Sequence, residues 1–268
     1  MKLTVSLAQM NVLRAQPREN LAKGEALIAE AARRGSDVVC FPEMWTTGFD
    51  WESNARTARD HERIVEQVGR LAEKYGIWVT GSVLALNEEG KVSNACILFG
   101  PGGDRVGTYR KTHLFSLFHE DRHMAPGESS CLAETPWGPA GLAVCYDIRF
   151  PELFRTYALK GAKLVFCPAA FPYPRLEHWK ILVRARAIEN QMYLVAVNQV
   201  GSEDIGPRGS VTYFGTSMIV DPWGRTVVEA GETEEMLLTA TFDPDLADEI
   251  RKNMRVLQDR RPDIYELG

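Results

Sequence analysis

The chain predicts an α/β fold with mixed sheets, and three observations carry that expectation. Strand-like and helix-like apolar patterns alternate in its first and middle parts, as in sheets covered by helices. The run Asp37–Phe41 is apolar almost throughout and ends at Pro42, which marks a strand buried on both faces. Three successive strand patterns between residues 77 and 109 are joined by Asn-Glu-Glu-Gly and Pro-Gly-Gly-Asp turns and predict a meander.

Taken in order, Leu3, Val5 and Leu7 alternate with Thr4 and Ser6 as a strand. Leu21, Leu27, Ile28, Ala31 and Ala32 then recur at helical spacing, with Gly35 as the stop. After the 37–41 strand, Ile64, Val65, Val68, Leu71, Ala72 and Tyr75 make a second amphipathic helix closed by Gly76. The meander strands are Ile77–Leu84, Val92–Phe99 and Arg105–Tyr109. Gly141–Val144 reads as a strand, Pro151–Leu159 as a helix, Lys163–Cys167 as a strand and Leu176–Asn190 as a helix. Further strands are expected at Tyr193–Asn198, Val211–Val220, Thr226–Glu229 and Met236–Thr241, with Asp221-Pro222-Trp223-Gly224 as a hairpin turn. No linker or repeat divides the chain, so residues 1–253 are expected to form one domain and residues 254–268 a polar tail.

Composition limits the functions to consider. With 45% hydrophobic and 25% charged residues in 268, the chain is an ordinary globular one, not a disordered one. Lys and Arg number 31 against 36 Asp and Glu, and a net charge of -5 offers no footprint for nucleic acid. A small-molecule partner is expected instead. The five cysteines are an odd set without a Cys-x-x-Cys pair, which points to reduced thiols in a cytoplasm. The N-terminus lacks a signal-peptide pattern, and no run approaches the roughly 20 apolar residues that span a bilayer.

Three residues sit just beyond the ends of predicted strands: Glu43 after 37–41, Lys111 after 105–109 and Cys145 after 141–144. Ligands of open α/β sheets collect outside such ends, so the three are expected to converge. Cys145 precedes a helix start at Pro151-Glu152, and a helix N-terminus and a cationic neighbour would both favour its thiolate. Glu43 lies among bulky apolar residues in Phe41-Pro42-Glu43-Met44-Trp45, surroundings suited to a general base. Taken singly, each also reads as something plainer: a core thiol, a loop acid, a surface lysine. A competing pattern is His119-Glu120-Asp121-Arg122-His123, which matches H-E-x-x-H and, on a helix, would place two histidines on one face for zinc. It lacks a downstream third ligand motif. A Cys-His pair of Cys145 with His113 or His178 is a further alternative.

The residues FPEMW (41–45), YRKTHLF (109–115) and GLAVCYDIRFPEL (141–153), with HWKILVRARAIENQMYLVAVNQVG (178–201) and the DPWG turn, resemble the nitrilase, or carbon-nitrogen hydrolase, superfamily over the whole chain. The resemblance implies an α-β-β-α sandwich of two mixed sheets flanked by helices, a homodimer or higher homo-oligomer, and no cofactor or metal. It makes Glu43, Lys111 and Cys145 the catalytic residues, with Glu120 as an additional glutamate, and it suggests Tyr146, Arg149 and Phe171 for substrate binding. Because Cys145 is followed by Tyr146-Asp147 and not the Trp-Glu of true nitrilases, the resemblance is to the amidase branches, omega-amidases foremost. The activity it implies is hydrolysis of a small carboxamide to carboxylate and ammonia through a thioester. A nitrilase or N-carbamoyl hydrolase of the same superfamily, a zinc hydrolase and a non-catalytic relative are the alternatives. A substrate with a distal carboxylate would need a cation, for which Arg149, Arg175 and Arg184 are candidates.

Overall fold

The computed structural model describes residues 1–57, 60–204 and 209–265. The elements run β1 (Leu3–Gln9), α1 (Pro17–Arg33), β2 (Val38–Cys40), α2 (Trp51–Arg56), α3 (His61–Tyr75), β3 (Trp78–Leu86), β4 (Val92–Phe99) and β5 (Arg105–Arg110). There follow α4 (Glu120–His123), β6 (Cys131–Ala133), β7 (Ala140–Leu142), α5 (Pro151–Leu159), β8 (Leu164–Ala169), α6 (Leu176–Asn190), β9 (Tyr193–Asn198) and β10 (Val200–Asp204). The last are β11 (Ser210–Phe214), β12 (Met218–Val220), β13 (Thr226–Glu229), β14 (Met236–Phe242) and α7 (Leu246–Asn253).

Two six-stranded sheets form, in the orders β14-β1-β2-β3-β4-β5 and β13-β12-β9-β8-β7-β6. Parallel strands occupy the centre of each, β1-β2-β3 in one and β7-β8-β9 in the other. Antiparallel strands complete both flanks. The sheets face each other through β1 on β9, β3 on β8 and β5 on β6 and β7, while α1 and α3 cover one outer face and α5 and α6 the other. This is the α-β-β-α sandwich.

The period-2 geometry of a strand explains why the central strands read as continuous apolar runs. On β2, Val38 and Cys40 enter the core between the sheets, whereas Val39 and the following Phe41 enter the one beneath α1 and α3. On β4, Cys96 and Leu98 face inward and Ala95, Ile97 and Phe99 outward. Close packing also anchors the turn that carries Glu43. Trp45 stacks on Phe41 at 4.3 Å and fills room left by two glycines, for a Cβ on Gly24 of α1 would lie 2.3 Å from its ring and one on Gly81 of β3 2.9 Å. Larger residues at either position would expel the indole and loosen that turn.

One expected strand is two. Val211–Val220 breaks between β11 and β12 because Gly215 and Thr216 both adopt left-handed backbone (φ 54° each). β11 therefore pairs with β10 in a separate ribbon, and β12 joins the second sheet. The expected strand 141–144 ends at Leu142, leaving Ala143 and Val144 as the approach to Cys145. The short elements α2, β6 and β10, and the helix α7 just before the tail, are additions to the sequence reading. Among the described residues no helix is long and apolar enough to cross a membrane.

Candidate active site

Glu43, Lys111, Glu120 and Cys145 meet at one end of the sandwich, Glu43 and Lys111 reaching it from the first sheet and Cys145 from the second. Glu43 lies in the turn after β2, and its N–H donates to the Ala169 carbonyl at the end of β8 (3.2 Å), so its own backbone bridges the two sheets. Its carboxylate is only 1% exposed. Oε1 accepts from Asn94 Nδ2 and from Lys111 Nζ, both at 2.8 Å, and Oε2 accepts from the Ala170 N–H at 3.0 Å.

Lys111 is the first residue past β5, held by its N–H to the Asn94 carbonyl (2.8 Å) and by its carbonyl to the Gly127 N–H (2.9 Å). An ammonium has three donors. Those of Lys111 reach Glu43 and both oxygens of Glu120, at 2.9 and 2.7 Å. Glu120 opens the single turn α4 and also accepts the Phe115 N–H at 2.7 Å.

Cys145 begins a 3₁₀ turn that runs to Arg149, and its thiol shares the pocket lining with the Glu43 carboxylate and Ala170. Its φ is 45°, in the left-handed region that a side chain disfavours. Six non-glycine residues among those described have positive φ, and three of them are Cys145 itself, Met44 beside Glu43 and His119 beside Glu120. Each such residue costs about 1–3 kcal/mol, and such strain gathers where surrounding structure must impose a geometry.

The charges explain the resting state. Burial would push the Lys111 pKa down, but Glu120 and then Glu43 outweigh it and hold the pKa well above the usual lysine value. Burial, and then the Glu43 carboxylate, push the Cys145 thiol well up, and the opposing pull of Lys111 does not reverse them. α5 begins at Pro151, as its sequence predicts, and neither that helix start nor Lys111 outweighs the burial and the neighbouring carboxylate that push the Cys145 thiol up. Burial likewise raises Glu120, against the opposing pull of Lys111.

The four residues open onto a pocket walled by Phe49, Phe115, Phe118, Tyr146 and Phe171, with Arg149 and Arg175 on its lining. Tyr146, Arg149 and Phe171 all line this pocket. Arg149 sits 5.3 Å from the Phe171 ring and Arg175 5.7 Å from that of Phe115. Among the described residues neither guanidinium has a carboxylate partner, although Arg149 meets His178 Nδ1 at 3.3 Å. Arg184 is not in the pocket; it faces Glu229 (3.4 Å) and Thr226 (3.1 Å) across α6 and β13.

The H-E-x-x-H segment has no two-histidine helical face. His119 is left-handed (φ 60°) ahead of α4, Glu120 turns inward to Lys111, and His123 stacks on Trp51 at 5.0 Å. Among the described residues no group of three or more His, Cys, Asp or Glu side chains is arranged to hold a metal. The two histidines weighed as bases for Cys145 are engaged elsewhere, His113 with Asp147 (2.8 Å) and His178 with Arg149.

Sequence reasoning missed Asn94, fully buried on β4 and the donor that orients Glu43. Its signal was present: an amide amid the apolar Val92–Phe99 strand must find a hydrogen-bond partner once buried. The aromatic walls 115 and 118 come from an irregular loop whose pattern gives no such signal.

Residues 4–252 match the carbon-nitrogen hydrolase family model. The chain is 35% identical to a 2-oxoglutaramate amidase of Bacillus subtilis, over 99% of this chain and 100% of that one. It is 34% identical to an omega-amidase of Xenopus tropicalis, over 99% of this chain and 98% of that one. A carbon-nitrogen hydrolase from Helicobacter pylori superposes with a TM-score of 0.92 at 25% identity, covering 98% of this chain and 97% of that one.

Proposed function

Because the chain belongs to the carbon-nitrogen hydrolase family, we propose that it is an amidase that releases ammonia from a small carboxamide through a thioester on Cys145. The observation that carries the reading is the meeting of Cys145 with the hydrogen-bonded chain from Glu43 to Lys111 to Glu120 in the lining of one pocket. Glu43 takes the thiol proton as sulfur bonds to the amide carbon, which a thiol kept protonated by burial requires. Negative charge then develops on the amide oxygen. Lys111 can turn one donor from Glu120 to that oxygen and keep the other bond. The Tyr146 N–H, at the start of the 3₁₀ turn where amides lack an intrahelical acceptor, supplies a second donor. Glu43 passes its proton to the departing ammonia, then takes one from water as the resulting hydroxide attacks the thioester carbon, and returns that proton to the sulfur as the C–S bond breaks, releasing the carboxylic acid and the free thiol. Glu120, with both oxygens occupied, positions Lys111.

The test is ammonia release from a panel of succinamate, glutaramate, 2-oxoglutaramate, butyramide, N-carbamoyl-β-alanine and butyronitrile. Turnover of the amides with little of the nitrile is expected; efficient nitrile hydrolysis without amide hydrolysis would overturn the assignment.

The aromatic walls and the two arginines favour an omega-monoamide, the class to which 2-oxoglutaramate belongs. A guanidinium that lacks a carboxylate in the free protein can accept one from the substrate as a bidentate pair. Arg175→Met should therefore lower kcat/KM for succinamate by about 10- to 100-fold and for butyramide by no more than about 3-fold, since charged hydrogen bonds contribute roughly 1.5–3 kcal/mol. Equal losses on both amides would remove the carboxylate from the proposal and leave the amidase standing.

A dimer completes the reading. Ile181 and Ile188, seven residues apart and so on one face of α6, are 61% and 50% exposed, and Trp223 of the turn beside Ile188 is 48% exposed. Such an apolar stripe fits a second copy of the chain. Light scattering should give twice the chain mass, and Ile181→Glu with Ile188→Glu should give the single mass; an unchanged mass in the double variant would place the interface elsewhere. The unpaired state of all five cysteines fits a reducing cytoplasm.

A further inference from the structure

Resting on that reading and deepening it, we propose that Asp147 and His113 are a positioning pair that sets the Cys145 turn against the loop carrying Lys111. Asp147 is fully buried, yet it neither lines the pocket nor takes part in the proton transfers above. Its carboxylate joins two segments that reach the site from different sheets. Oδ2 accepts the Val144 N–H at 2.8 Å and the Tyr109 hydroxyl at 2.9 Å. Oδ1 accepts His113 Nδ1 at 2.8 Å and the His113 N–H at 3.3 Å. Val144 directly precedes the nucleophile, and Tyr109 and His113 stand two residues to either side of Lys111.

The histidine closes the same turn from its other end, for its ring stacks on Phe150 at 3.7 Å with the planes 6° apart. The 3₁₀ turn 145–149 is thereby gripped at Val144 through Asp147 and at Phe150 through His113. Cys145 needs such a grip because its left-handed backbone persists only where neighbours impose it. A buried carboxylate is also costly compared with an apolar side chain in the same place. Its geometric return here is the separation between sulfur and ammonium, on which attack and oxyanion stabilisation both depend.

The test uses the whole protein and the panel amide that it turns over fastest. Asp147→Asn should lower kcat by about 100-fold, the effect of a misplacement of about 1 Å, and leave KM within about 3-fold. His113→Leu, at a partly exposed side chain that threatens folding less, should lower kcat by about 10-fold or more, whereas His113→Asn, whose amide can still donate to Oδ1, should recover most of it. The two losses should not add in the Asp147→Asn, His113→Leu double variant, because both break one link. Additive losses, failure of His113→Asn to exceed His113→Leu, or a kcat in folded His113→Leu within about 2-fold of wild type would overturn the pair. Cys145→Ala run beside them separates the two failures: amide hydrolysis that survives it defeats the amidase chemistry itself, whatever the pair does.

Discussion

Cys145→Ala should fold normally and lose amide hydrolysis by at least about 10⁴-fold, the scale on which removal of a nucleophile acts. The change deletes one sulfur from a side chain already 8% exposed and leaves the Glu43, Lys111 and Glu120 contacts in place, so a melting curve near that of wild type is expected. Alanine at Cys40, Cys96 or Cys131 is the control. Cys40 and Cys96 sit in the core between the sheets, and their loss should cost stability with kcat kept within about 3-fold. Substantial turnover by Cys145→Ala would remove the thioester mechanism.

Glu43→Gln should produce the second largest loss, about 10³-fold or more in kcat, because one carboxylate serves as base in both half-reactions. Glutamine keeps the shape and can still accept from Asn94 and Lys111, but its NH₂ faces the Ala170 N–H, a donor against a donor. The same variant makes a prediction of opposite sign. The Glu43 charge raises the Cys145 pKa and Lys111 lowers it, so removing the carboxylate charge must bring the thiol pKa down. Iodoacetamide should then alkylate Glu43→Gln with a midpoint at lower pH than wild type, even as amidase activity collapses. A midpoint moved upward would show that Glu43 is not the charge beside the thiol.

The sandwich was legible where period governs. Alternation on β2 and β4, the helical face of α3 and the proline at the start of α5 follow from local residue patterns. The convergence of Glu43, Lys111 and Cys145 on one pocket is legible because each stands beside a strand end within a distinctive motif, and Glu120 joins them as the resemblance implies, through an H-E-x-x-H pattern that by itself suggests zinc. What escaped depends on contacts between distant segments. Asn94 and Asp147 serve residues 51 and 34 to 38 positions away, a relation no window of sequence contains. Thr216 gives no local sign of its left-handed backbone, so the break between β11 and β12 was read through. Arg184 could not be told from Arg175 until α6 was placed, one at its N-terminal edge on the pocket and the other against Glu229.

Covalent attachment to Cys145 is the central claim, and intact-protein mass spectrometry during turnover tests it most directly. Wild-type protein mixed with a slowly hydrolysed amide or ester should gain the mass of the acyl group, peptide mapping should place it on Cys145, and the adduct should decay as product appears. Steady turnover with no adduct in rapidly quenched samples, or an adduct on another residue that forms and decays at the rate of turnover, would contradict the account.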